Sequence, residues 1–190
     1  MRDIKNAAKN VAEGFMYYEI KTARLLLRPL DISDLNTVHE YASDDENTRF
    51  MMWLPNRTLD ETAEFLTRVT EEWQKDEPTF YEFAVVLNGL QIGAVSVYSD
   101  EQKVTGELGW ILNKKFHGMG YASEAAIAIK DFALNTLDLK KLIAHCDYRN
   151  APSARVMEKI GLKLESDDGV RTYPKRNETA RELTYGFTVD

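Results

Sequence analysis

The sequence predicts a single α/β (α+β) domain, a mixed and mostly antiparallel central sheet with flanking helices. Three observations carry that reading. Strand-like runs from Phe80 to Leu87 and from Leu90 to Tyr98 are separated only by Asn88-Gly89, two residues that accept positive φ and close a tight hairpin. At Ala122 the apolar spacing changes to the helical period, with Ala122, Ala125, Ala126, Ile129, Phe132 and Ala133 on one small-residue face suited to close packing on a sheet. Strands and helices then alternate to the C-terminus, which places helices on a mixed sheet.

Composition sets the bounds. A chain of 190 residues with 44% hydrophobic and 29% charged residues suits one soluble core that folds without staples. The lone cysteine, Cys146, excludes an intramolecular disulfide and a cysteine-based metal cage, and it fits a reducing, cytoplasmic compartment. The three histidines, His39, His117 and His145, lack paired ligand spacing, so no metal is expected. A net charge of -7 argues against nucleic-acid binding and slightly favours a cationic substrate. Residues 1–20 lack the unbroken apolar run of a signal peptide or membrane span. With Ile4, Ala8, Val11 and Phe15 on one helical stripe, they are expected to form an N-terminal helical extension ahead of a domain at 21–190.

The elements follow in order. Arg24 to Arg28 reads as a strand that stops at Pro29, since proline has no amide for a ladder. Asp31 is the expected cap of a helix carrying Leu35, Val38, Tyr41 and Ala42. Thr58-Leu-Asp-Glu61 has capping-box spacing and opens a helix whose face is Leu59, Thr62, Leu66, Val69 and Trp73, running to about Gln74 or Lys75. After the hairpin, Val104 to Leu112 reads as a strand with Glu107, Gly109 and Ile111 on one face and Leu108, Trp110 and Leu112 on the other. Lys140 to Asp147 is a further strand. Asn150 caps a helix that Gly161 terminates, and Glu182 to Val189 is the closing strand. His145 and Cys146 are strand neighbours pointing to opposite faces, which excludes a dyad between them and puts Cys146 in the core.

Between the Val104 strand and the Ala122 helix lies His117-Gly-Met-Gly-Tyr-Ala-Ser-Glu124. A Gly-x-Gly turn at a helix start points backbone amides outward where the helix dipole is positive, a site for a phosphate. It also serves as a plain tight connector. The Gly-Lys-Ser/Thr ending of a nucleotide-triphosphate loop and the third glycine of the dinucleotide fingerprint are both missing.

Glu107-Leu-Gly-Trp-Ile-Leu112, His117 to Ala125, Asn150-Ala-Pro-Ser153 and Met157-Glu-Lys-Ile-Gly-Leu162 together resemble, in order and spacing, the GCN5-related N-acetyltransferases. The closest branch is that of the ribosomal-protein alanine acetyltransferases, and the resemblance runs from about Thr22 to Val189. It implies a splayed pair of parallel strands with acetyl-CoA between them. The main chain of Trp110, Ile111 and Leu112 would hold the pantetheine arm. The turn of His117, Gly118, Met119, Gly120, Tyr121, Ala122 and Ser123 would hold the pyrophosphate, although His117 departs from the family's usual glutamine or arginine. Asn150 would hold the cofactor arm as well as cap its helix, and Lys159 would meet the ribose phosphate.

Transfer to an amine needs a proton acceptor, an oxyanion donor and a proton for the departing thiolate. Glu107 is the candidate base. It also reads as an attractor of cations or as an ordinary edge carboxylate. Ser153 is the candidate acid, and equally an ordinary residue of a first helical turn. Tyr148 and Tyr121 are further proton donors or simply packed aromatics. The implied activity is acetyl transfer from acetyl-CoA to a protein N-terminus, a polyamine or an aminoglycoside-like amine, by a monomer or homodimer away from membranes. The acidic runs Asp44-Asp-Glu46 and Glu71-Glu72 suit a cationic acceptor or mark solvated faces. Two other classes stay open: a non-catalytic CoA-binding sensor or interaction module, and a nucleotide binder.

Overall fold

The computed structural model describes residues 7–12 and 15–189, with side chains from Tyr17 onward. Its strands are β1 (Ala7–Ala12), β2 (Phe15–Lys21), β3 (Leu25–Pro29), β4 (Phe80–Leu87), β5 (Leu90–Ser99), β6 (Thr105–Leu112), β7 (Lys141–Asp147), β8 (Lys163–Tyr173) and β9 (Glu178–Thr188). The helices are α1 (Leu35–Ala42), α2 (Leu59–Trp73), α3 (Tyr121–Asn135) and α4 (Ala151–Lys159). Among the described residues the strands form one nine-stranded sheet in the order β1-β2-β3-β4-β5-β6-β7-β9-β8. Every neighbouring pair is antiparallel except β6 and β7. The expected mixed, mostly antiparallel sheet is the fold. No helix among the described residues is long and apolar enough to cross a membrane.

Local chemistry accounts for the main boundaries. Asn88 and Gly89 both take positive φ (50° and 83°) and turn β4 into β5. Asp31 accepts from the Ser33 amide while the Asp34 carboxylate accepts from the Asp31 amide, and the buried Asp34 is held by Arg28 at 2.6 Å. Thr58 caps α2 by accepting from the Glu61 amide, but only half of the expected box forms. The Glu61 carboxylate accepts instead from the Arg57 amide and from Lys175, which competes for it. The core holds Leu27, Phe83, Val85, Ile92, Val95, Ile129 and Leu142, all fully buried. Phe132 of α3 meets Tyr18, Tyr81 and Phe83 edge-on, and Trp73 at the end of α2 meets Tyr81 and Phe83. Helices and sheet are thereby keyed together by rings.

Two expectations are corrected. The segment expected as an N-terminal helix is the hairpin β1–β2 where it is described; Ala8, Val11 and Phe15 lie in strands, and Ile4 falls outside the described residues. The aromatic run Phe-Met-Tyr-Tyr-Glu-Ile favours a pleated strand, with Tyr18 on Phe132 and Ile20 buried. By pairing Ile20 with Leu27 and Lys21 with Leu26, it also covers backbone groups on the β3 edge. The second is β8, a stretch for which the sequence predicts no element. Its polar Lys-Leu-Glu-Ser-Asp-Asp-Gly stretch has no apolar alternation and carries two register shifts against β9. Such bulged, charged strands are usual at a sheet edge, where they discourage pairing with other chains.

The hairpin β8–β9 reaches the connection between α1 and α2. Arg171 donates to the Phe50 carbonyl, Lys175 to that of Pro55, and Arg176 to those of Thr48 and Arg49.

Candidate active site

Strands β6 and β7 run side by side only through Thr105–Lys141, Gly106–Leu142 and Glu107–Ile143. Beyond Glu107 they part. β6 continues to Leu112 along β5, while β7 continues to Asp147 along β9. The opening is therefore bounded by two strands that are each secured on their outer side. Among the described strands nothing pairs with the inner edge of β6 over residues 108–112, so its amides and carbonyls face the gap where an extended chain fits. Trp110, Ile111 and Leu112 lie on that edge.

Glu107 stands at the vertex, in the last parallel pair. Strand alternation puts His145, two residues past Ile143, on the same face as Glu107, and its Nδ1 lies 3.0 Å from Glu107 Oε1. The His145 side chain is 22% exposed and that of Glu107 49%, so the pair is reachable from solvent. The hydrogen bond to Glu107 raises the His145 pKa above its ordinary value against the opposing effect of burial. Strand alternation excludes a dyad of His145 with Cys146, and Cys146 is buried, which pushes its thiol up to about 11; alternation does not reveal the carboxylate across the gap. Only the strand register brings these two positions together.

A second polar row crosses the same face. The register aligns Glu82 with Ser96 and Ser96 with Gly109, and in the next row Phe80 with Tyr98 and Tyr98 with Glu107. Ser96 Oγ comes so close that a Cβ at position 109 would sit 2.7 Å from it, which accounts for glycine there. The Tyr98 hydroxyl donates to Glu82 Oε1, and its ring stacks on Phe80 at 4.9 Å. Burial pushes the Glu82 carboxyl up to about 7, with the Tyr98 and Ser96 hydrogen bonds pulling the other way. No sequence pattern marked Glu82.

At the far end of β6, a 3-10 turn (Lys114–Phe116) leads into the glycine turn. Gly118 and Gly120 take φ of 75° and 82°, a region L side chains avoid, and Gly120 caps α3 without a side chain in the way. The amides at the α3 start stay free for an anion, and Met119, Gly118 and Gly120 are exposed while Tyr121, Ala122 and Ser123 are half-buried. His117 Nε2 lies 3.0 Å from the Leu112 carbonyl, so the ring donates there and ties the turn to the end of β6.

Arg24, which the sequence marks only as the start of a strand, holds the other side of the turn. It donates to the Met119 carbonyl (3.0 Å), pairs with Glu124 (2.6 Å) and lies over the Tyr121 ring at 4.4 Å. The Thr22 hydroxyl and Arg24 amide add two more bonds to Glu124. Although burial opposes it, these bonds lower the Glu124 pKa.

On the β7 side, Asn150 caps α4 by accepting from the Ser153 amide at 3.3 Å, which puts Ser153 in the first turn, half-buried. The approach is fixed by Asp147, fully buried and bonded to Arg149 and the Tyr173 hydroxyl at 2.6 Å each. Burial opposes its ionisation, yet these bonds hold Asp147 down at about 2. Lys159 lies six residues beyond Ser153, about 9 Å along the α4 axis, exposed at its C-terminal end.

Most carboxylates of the acidic runs already have partners. Asp44 and Glu46 pair with Lys114, Asp45 with Arg57, and Glu72 is buried against Lys75 and Thr79. These carboxylates tie loops together.

Known proteins share this fold. The family model described as Acetyltransferase (GNAT) domain matches residues 24–163. Uncharacterized N-acetyltransferase YnaD of Bacillus subtilis (strain 168) is 34% identical over 170 residues, 88% of this chain and 95% of that protein. The crystal structure of an acetyltransferase (GNAT family) from Bacillus anthracis is similar with a TM-score of 0.77 at 32% identity, over 90% of this chain and 98% of that one. RimL, a ribosomal L7/L12 alpha-N-protein acetyltransferase in complex with coenzyme A, shares the fold with a TM-score of 0.78 at 17% identity, over 89% and 96% of the two chains.

Proposed function

Because the chain belongs to the GNAT family of acetyltransferases, we propose that it moves an acetyl group from acetyl-CoA to a primary amine by direct attack in the gap between β6 and β7. The observation that carries this reading is the parting of the two strands just past Glu107, beside an anion-binding turn. An unpaired strand edge and a ring of free amides suit the two halves of a CoA molecule, an extended amide-bearing arm and a pyrophosphate. The main chain of Trp110, Ile111 and Leu112 takes the arm, with Asn150 opposite. The amides from Gly118 to Ser123 take the pyrophosphate, that of His117 being engaged by the Lys114 carbonyl, and Lys159 takes the ribose phosphate.

Each residue then has one task. The gap brings the amine to the thioester carbon, which converts a bimolecular encounter into an oriented one. Glu107 accepts the proton of the ammonium, and Ser153 supplies one to the departing thiolate. The acceptor is a protein N-terminus, like the substrate named for RimL, or a small amine such as a polyamine or aminoglycoside.

A free-thiol release screen over peptides of varied N-terminus, polyamines and aminoglycosides tests this directly. At least one class is expected to release thiol above the acceptor-free rate. Thermal shift with acetyl-CoA against ATP checks the binding half, since a ligand of the folded state raises apparent stability by mass action. Stabilisation by ATP alone, with no thiol released, would replace this reading with a nucleotide binder.

A further inference from the structure

Glu107 does not stand alone at the vertex. One of its oxygens, Oε1, is engaged by the His145 ring at 3.0 Å, and no donor among the described residues reaches Oε2. The two side chains come from the two strands that part, Glu107 from β6 and His145 from β7, so their contact spans the mouth of the gap. An imidazole Nδ1–H directed at one carboxylate oxygen fixes the carboxylate plane and turns the other oxygen outward.

We propose that His145 is the positioning partner of Glu107 in amine deprotonation, fixing Oε1 so that Oε2 takes the proton. The step balances: the N–H bond of the incoming ammonium breaks, its electron pair stays on nitrogen, and an O–H bond forms at Oε2. His145 also sets the charge of the pair. As an imidazolium it stabilises the carboxylate and weakens its pull on a proton; as neutral imidazole it keeps the hydrogen bond and leaves a better acceptor. The other charges facing the ring are Glu182 on β9, which favours the protonated ring, and Arg171 on β8, which opposes it. Asp147, further along β7, is engaged by Arg149 and Tyr173. Glu82, whose partner Tyr98 is in register with Glu107, titrates nearby and has to be separated by its own variant.

The inference rests on the acetyl-transfer reading, and the test separates the two. Imidazole NMR titration of the free protein follows only three histidines. His145 is expected to titrate above 6.5 in the wild type and to move down by at least half a pH unit in Glu107→Gln. An unmoved titration overturns the proposal whatever the enzyme acetylates. Rates of thiol release are then measured from pH 5.5 to 9, with spermidine and an alanine-initiated hexapeptide as probe amines. The wild type and Glu82→Gln are expected to show a rising limb at the His145 titration. His145→Gln, which keeps an N–H donor, is expected to lose that limb yet stay within about fivefold of the wild-type plateau, and His145→Ala to fall at least tenfold. A His145→Gln profile that superimposes on the wild type overturns the proposal. If neither probe releases thiol and calorimetry detects no acetyl-CoA binding, the acetyl-transfer reading fails and takes this one with it.

Discussion

The two ends of β6 are built by opposite means. At the glycine turn the chemistry is in the backbone: positive φ at Gly118 and Gly120 aims amides outward, and the surrounding side chains, His117 and Arg24, bond to carbonyls of the scaffold. At the vertex it is in the side chains: Glu107 and His145 come from the two parting strands and meet only through register. Binding an invariant phosphate group suits fixed amides, whereas proton handling requires groups whose charge can change. One end should therefore respond to changes in backbone conformation and the other to changes in ionisation.

The largest expected effect breaks the contrast at the vertex. Glu107→Gln should lower kcat/KM by at least about a hundredfold, the scale of losing a general base. Its acetyl-CoA affinity by calorimetry should stay within about threefold. Gly120→Asp makes the reverse case. It forces a side chain into a left-handed residue and sets a negative charge among the amides, so acetyl-CoA should bind about a hundredfold more weakly. If either variant instead damages both binding and the pH profile, the two ends are not independent.

A smaller effect concerns the buried carboxyl under the vertex. Glu82 holds its proton in the folded protein up to about 7, whereas an ordinary glutamate releases it near 4.5. Its contribution to stability is complete below that lower value and is lost as pH rises through about 7. Glu82→Gln should consequently lose less thermal stability than the wild type between pH 5 and 8, by a few degrees, given roughly 2–4 °C per kcal/mol at this chain length. The smallest effect is at the turn's outer brace. Arg24→Ala removes a partly exposed ion pair and a carbonyl contact, costing about 1 kcal/mol in chemical denaturation and a few-fold in acetyl-CoA affinity.

The same contrast decides what the sequence could tell. Elements with local signals were legible: the Asn88-Gly89 turn, the Asn150 cap and the period change at Ala122 each act within a few residues of chain. The glycine turn was legible for the same reason. The Glu107–His145 pair was not, because 38 residues separate its members and neither flank records which strand will lie beside which. Arg24 escaped likewise, 95 residues from the carbonyl it holds. β8 gave no pattern because its first eight residues are exposed or half-buried and burial begins only at Arg171 and Tyr173, and the N-terminal stripe satisfied a helical period by coincidence while its aromatic residues preferred a pleat.

The contacts from the β8–β9 hairpin to the carbonyls of Thr48, Arg49, Phe50 and Pro55 have an evolutionary corollary. They grip peptide groups, which every residue possesses. The exposed Trp53 can therefore be replaced with the path of the segment unchanged, whereas Leu54 packs on the core and the Phe50 ring lies beneath Arg149.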